Sequence, residues 1–151
     1  MLNDTKQPAP LDPRKRHYAR QYVLQALYQK QMADTPTHDI ESEFLRFQIT
    51  KDCDLEYFKD LLHGIAKQLP LLDEHIKRHL SRPLAEMDMV ELAVLRLATY
   101  ELLQRPDVPY PVVINEALQL TKKFGSVEGY KFVNGVLDKV AKETRKTEKR
   151  S

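Results

Sequence analysis

The sequence predicts an all-α protein of about seven helices, packed as two three-helix-type bundles. Three observations lead there. Apolar residues recur every three to four positions through most of the chain, prolines fall between those runs, and no run alternates polar and apolar residues as a half-buried strand would. With 151 residues, 42% of them hydrophobic, the chain is long enough to bury a core. Its single cysteine, Cys53, excludes an internal disulfide.

The elements follow in order. Residues 1–12 are polar and hold Pro8 and Pro10, which predicts a disordered leader. Ala19, Tyr22, Val23, Ala26 and Leu27 then share one face of a first helix that runs to about Met32. Thr35-Pro36-Thr37 breaks it, and Phe44, Leu45, Gln48 and Ile49 mark a second helix. A third is expected from Leu55 to Leu69, with Phe58, Leu61, Leu62 and Ile65 inward and Pro70 closing it. Leu72, Ile76 and Leu80 predict a short fourth helix, stopped at Ser81-Arg82-Pro83.

The stretch Met87 to Leu103 is apolar on almost every side, Glu91, Arg96 and Glu101 apart, so a central, buried helix is expected there. The proline-rich segment from Arg105 to Pro111 is a stiff loop, and Pro111 suits the first turn of the next helix. That helix turns Val113, Ala117, Leu120 and Phe124 inward, with Gly125 expected as a left-handed cap and Ser126 as the N-cap of the last helix. Asn134-Gly135 has the composition of a hairpin turn, but Phe132, Val136 and Val140 recur every four residues and favour a helix. One helical domain is therefore expected over 13–145, with subdomains of about 13–70 and 71–145 and a basic tail at 146–151.

Charge is distributed unevenly. Residues 1–33 carry six Lys/Arg against two Asp/Glu, residues 34–104 eight against fourteen, and residues 105–151 ten against six, although the whole chain carries only +2. Arg14, Lys15, Arg16 and Arg20 lie in a stretch without a single acid. Basic ends point to a polyanion, and an acidic middle to a basic partner; solvated tails are the plainer reading. Two further features point to binding. Leu24, Tyr28 and Met32 form a second apolar stripe on the first helix, which either widens the core or docks a partner. Lys131 sits between Tyr130 and Phe132, an arrangement that lets bases stack while the cation meets phosphate.

Catalytic and metal patterns are weak. There is no GxxxxGK[ST] or GxGxxG, so nucleotide chemistry is not indicated. His75 and His79 have the i, i+4 spacing of zinc ligands but no HExxH and no nearby cysteine, and His63 and Cys53 lack the context of a base or a nucleophile. No enzyme activity, cofactor or metal is expected. No apolar run approaches the roughly 20 residues that cross a bilayer, and the amino-terminal residues lack a signal-peptide pattern; the cytoplasm is the expected compartment.

Several blocks carry a family resemblance: Gln25 to Tyr28 (QALY), Tyr57 to Gly64 (YFKDLLHG), Glu91 to Arg96 (ELAVLR), Val108-Pro109-Tyr110, Ile114 to Ala117 (INEA) and Lys131 to Leu137 (KFVNGVL). In this order and spacing they resemble the NusB family of bacterial transcription antitermination factors, from about Arg14 to Arg145. The resemblance implies an all-α protein that binds the boxA element of nascent RNA together with ribosomal protein NusE, in an antitermination complex on RNA polymerase that serves ribosomal RNA operons. It assigns phosphate contacts to Arg14, Lys15, Arg16 and Arg20 on an arginine-rich arm, with Lys131 and Phe132 completing the RNA surface. It places Tyr28, Met32 and Glu91 on the NusE face, which agrees with the stripe that also contains Leu24. His17 and Tyr18 stand where the family often has arginine, and Ala85 where some members carry an acid.

Alternatives of other classes are a nonspecific or DNA-binding helical protein, and a NusB-like accessory domain in ribosomal RNA modification. The first would want its cations on a recognition helix. The second would want an α/β cofactor domain, for which the chain has no room. A homodimer through the Leu24, Tyr28, Met32 stripe is the alternative in assembly.

Overall fold

The computed structural model describes residues 12–146 and 148; the leader 1–11 and most of the basic tail lie outside the described residues. Among those described there are seven α-helices and no strand: α1 (Pro13–Ala33), α2 (Thr37–Glu43), α3 (Leu55–Lys67), α4 (Leu69–Lys77), α5 (Met89–Gln104), α6 (Tyr110–Phe124) and α7 (Val127–Thr144). A π turn, Phe44–Gln48, continues α2, and a 3-10 turn, Leu84–Glu86, precedes α5. The expected all-α class and helix number are met.

Local chemistry sets most boundaries. α1 opens at Pro13, whose missing N–H would have no partner there in any case, and the Asp12 carboxylate accepts from the Arg14 N–H at 3.0 Å. It ends at Asp34, the one non-glycine residue in left-handed backbone among the described residues (φ 52°), whose N–H reaches the Lys30 carbonyl. Asp54, Asp88 and Ser126 cap α3, α5 and α7 in the same manner. Three expectations change. The arginine-rich stretch from Arg14, expected as an arm, forms the first two turns of α1. Pro70 does not close α3; it occupies the first turn of α4, which starts directly after Gln68. Gly125 is extended (φ −117°, ψ −155°), with no left-handed cap.

Helix α5 is the axis of the molecule, in contact with α1, α3, α4, α6 and α7. Its residues 92–95 and 97–102 are all buried, which accounts for the missing polar face in its sequence. α1 and α3 with α2 form one group of helices, α5, α6 and α7 with α4 the other, and the buried apolar residues of both make one continuous cluster. α1 runs antiparallel to α5, since Arg20 meets Glu101 near the end of α5 and Gln31 meets the Met89 carbonyl at its start.

Two contacts tie the ends together. Arg145, just past α7, donates to the carbonyls of Leu102, Glu101 and Arg105 at the end of α5, where carbonyls run out of helical donors; that of Glu101 also accepts from the Arg105 N–H. Glu148 accepts from the Tyr110 N–H at the start of α6. α3 closes on α5 at Gly64, where a Cβ would lie 2.2 Å from the Tyr100 hydroxyl oxygen. Gly64→Ala is therefore expected to force Tyr100 out of place and to cost about 1–3 kcal/mol in a chemical denaturation measurement; unchanged stability would show that Tyr100 swings away freely.

Candidate nucleic-acid interface

The amino end of α1 carries Arg14 and Lys15 on its outer surface. Lys15 lies 3.4 Å from Asp52, a pair open to solvent on both sides, and the Arg14 side chain makes no ion pair among the described residues. Both cations are thus available to an incoming anion, since an exposed pair is worth little.

Arg16 is turned inward. Its side chain is 12% exposed, its guanidinium lies 4.1 Å from the centroid of the Tyr57 ring, and it meets Asp107 at 3.1 Å and Asp54 at 3.7 Å. Arg105 stacks on the same ring at 4.8 Å and binds Asp107 and Asp60. The Arg105 guanidinium, with help from Arg16, holds the Asp107 carboxyl at about 2. Beneath them Arg20 donates from Nε to both carboxylate oxygens of Glu101 (3.0 and 2.9 Å), and the Tyr57 hydroxyl donates to the same carboxylate. Burial pushes the Tyr57 phenol up, as does the Glu101 charge.

The expectation that Arg20 holds phosphate is corrected here. It is 3% exposed, paired with Glu101 and, at 3.4 Å, with Glu116, so it braces α1 against α5 and α6. Sequence reasoning missed Tyr57, Glu101, Arg105 and Asp107 as the support of the basic surface. The legible signal was Glu101, an acid set among the apolar residues at the carboxyl end of α5.

At the other end of α1 the expected stripe divides. Leu24 is 2% exposed and belongs to the core, whereas Tyr28 is 41% and Met32 60% exposed. Leu24 still forms the floor of an open apolar depression, with Gln25, Tyr28, Val90 and Phe124 around it. Glu91 lies nearby in a second depression with Met87, Arg82 and Phe132. Burial pushes its carboxyl up, Asp88 adds to that, and Arg82 opposes it. α7 reaches this carboxylate because residue 129 is glycine; a Cβ there would stand 2.6 Å from Oε2.

Phe132 is half-buried in the same depression, and Lys131 beside it is exposed. The two groups expected to hold RNA are therefore apart. Arg14 to Arg16 lie at the carboxyl end of α5 and Lys131-Phe132 at its amino end, separated by a 16-residue helix, or about 24 Å of helical rise. The remaining candidates are accounted for by packing. His79 and His75 both turn to Glu143, at 3.1 and 3.9 Å, and His63 to Glu41; burial pushes the Cys53 thiol up, away from a reactive thiolate. Among the described residues no cluster of metal-ligating side chains forms, and no helix is long and apolar enough to cross a membrane.

Comparison with known proteins decides the family. The NusB family profile matches residues 17–142. The chain belongs to the NusB family. Similar curated proteins include the transcription antitermination protein NusB of Aeromonas salmonicida, 52% identical over 136 residues (90% of this chain, 99% of the relative). Another is that of Alcanivorax borkumensis, 49% identical over 139 residues (92% and 93%). Among solved structures, NusB of T. maritima matches with a TM-score of 0.74 at 35% identity, over 92% of this chain and 94% of that one. NusB in a crystal structure of the antitermination factors NusB and NusE with dsRNA matches with a TM-score of 0.78 at 27% identity, over 86% and 98%. The NusB resemblance carried by the QALY and KFVNGVL blocks thus holds along nearly the whole chain.

Proposed function

We propose that this chain is a transcription antitermination factor that binds boxA-type single-stranded RNA together with ribosomal protein NusE, within an RNA polymerase antitermination complex in the cytoplasm. The observation that carries this reading is a NusB-family chain with outward cations at one end of α1 and, toward the other, an open apolar depression beside Tyr28 with the exposed Met32 one turn on. Its relatives are named antitermination proteins, and the protein of known structure with NusE and RNA shares its fold. The work is binding, without catalysis, cofactor or metal.

The physical account differs from that of a flexible arm. Arg14 and Lys15 project from a helix that is already formed, so RNA meets a preset pair of charges and little ordering entropy is lost by the protein. Arg16 stands at the edge of the same surface, held by Asp107 and Tyr57. Lys131 and Phe132 offer a second point of contact, a cation beside an aromatic face. Tyr28 beside the Leu24 floor, with Met32 one turn on and Glu91 in the neighbouring depression, receives NusE. A duplex-DNA binder would need a helix presenting amides and cations to a groove; the cations of α1 that face outward lie at its amino end.

The test is fluorescence anisotropy of a boxA-type strand against the protein, beside a scrambled strand and duplex DNA, with and without NusE. Selective binding strengthened by NusE is expected. Arg14→Ala with Lys15→Ala should weaken RNA binding and reduce the slope of log K against log salt by about 1.4, roughly 0.7 for each lost phosphate contact to a single strand. Equal affinity for all three nucleic acids, or an unchanged slope, would sink the reading.

A further inference from the structure

One glycine is unexplained by the fold. Gly64 and Gly129 admit side chains of α5, and a Cβ on Gly125 would come within 3.0 Å of the Thr121 carbonyl. Gly135 lies inside α7, and a Cβ there would meet nothing within 4 Å. No positive φ requires glycine at this position either. A glycine within a helix is nonetheless less favourable than alanine, because it fixes a more mobile backbone. The use left for bare backbone on an open surface is close approach by a ligand.

The neighbours define that ligand's charge. Lys131 stands one turn before Gly135 and Lys139 one turn after, both exposed, so the glycine is a gap between two ammonium groups about 12 Å apart along the helix axis. Asn134, exposed, and Asp138, half-buried, border the gap, and Lys142 lies beyond Lys139. The acids of α7 do not cancel this charge. Asp138 is paired with Lys142 at 3.3 Å, Glu143 turns to His79, and Glu128 lies in the first turn. No large apolar side chain is exposed among residues 128–146, so the face lacks the anchors on which protein docking depends.

We propose that the outer face of α7, centred on Gly135, seats the phosphodiester backbone of single-stranded RNA. Lys131 and Lys139 each meet a phosphate, and Gly135 lets the strand between them lie against the helix. The proposal rests on the RNA-binding reading above and extends its Lys131–Phe132 contact along α7.

The test compares wild type, Gly135→Ala, Gly135→Glu and Lys139→Gln for thermal melting and for anisotropy with a boxA-type strand, with the Arg14→Ala/Lys15→Ala protein as reference. Gly135→Ala should melt above wild type yet bind RNA severalfold more weakly, and Gly135→Glu should bind more weakly still. Lys139→Gln should reduce the salt slope by about 0.7. Wild-type RNA affinity in Gly135→Ala and Lys139→Gln, with the reference variant impaired, would overturn the proposal and leave the RNA-binding reading standing. Failure of wild type itself to bind the strand would overturn both. If Gly135→Ala changes only the response to NusE, the face docks protein and the proposal falls.

Discussion

Glu101→Ala is expected to destabilise the protein by about 3–5 kcal/mol, the scale found when one partner of a buried ion pair is removed. Glu101 is 1% exposed and Arg20 3%, and the Tyr57 hydroxyl donates to the same carboxylate. Truncation strands a buried guanidinium and a buried phenol at once, with Glu116 at 3.4 Å as the remaining acid for Arg20. For a chain of this length the loss corresponds to a melting temperature lower by roughly 10 °C, readable by circular dichroism. Burial and attraction oppose each other at this carboxyl: desolvation pushes it up, while Arg20 and the Tyr57 hydroxyl favour the charged form. The pair as a whole therefore adds far less than its breakage costs, and a joint Arg20→Met, Glu101→Leu, Tyr57→Phe replacement, which strands neither the guanidinium nor the phenol, should recover most of the loss. A single Glu101→Ala variant as stable as wild type would mean that α1 is held by its apolar face alone.

The same variant should also weaken RNA binding at temperatures where it is still folded. Arg16, Arg20 and Arg105 all lie on or near the Tyr57 ring, so a shift of Tyr57 moves the support of α1's first turns. This is why a residue so far from solvent bears on a surface property. The outward cations are fixed because the inward ones are paired.

Helix periodicity made the fold legible because α3, α4, α6 and α7 each show one apolar face, α1 adds a second stripe to its core face, and α5 shows apolarity all round because five helices surround it. Boundaries were legible where a capping side chain or a proline acts within a few residues, as at Ser126 and Pro111. They were misread where the same residue type serves either end of a helix: proline at 70 begins α4 and does not end α3, since no residue but Gln68 separates them. The site was legible as charge and as stripe, through Arg14, Lys15, Tyr28 and Met32. Arg20 was misassigned because its sequence neighbours are cations, whereas its partner, Glu101, is 81 residues away. Only packing of α1 on α5 reveals that a basic run contains both surface and core charges. Leu24 was ambiguous for a related reason: it lies on the boundary between the buried face and the open one, and serves as floor to Tyr28.

Tyr28→Ala is expected to cost NusE binding at least about 2 kcal/mol, or roughly thirtyfold, because an aromatic over an apolar depression is the type of side chain on which interfaces concentrate their energy. Tyr28 is 41% exposed and Met32, one turn on, 60%, and the Leu24, Val90 and Phe124 side chains that share the depression with Tyr28 are held by the core. A rigid floor beside an exposed aromatic needs little reorganisation to receive a partner. Stability should move by no more than about 0.5 kcal/mol, as for an ordinary surface substitution, whereas Leu24→Ala should cost about 2–5 kcal/mol of folding energy. Titration calorimetry with NusE and thermal melting separate the two effects. RNA binding by Tyr28→Ala alone should match wild type, while the strengthening by NusE is lost, because coupling between two ligands requires that both be bound. Melting of the fold on Tyr28→Ala would instead make Tyr28 a core residue, and unchanged NusE affinity would place the partner elsewhere. A second copy of the chain on this face is the remaining outcome, recognised by a dimer that Tyr28→Ala dissolves in light scattering.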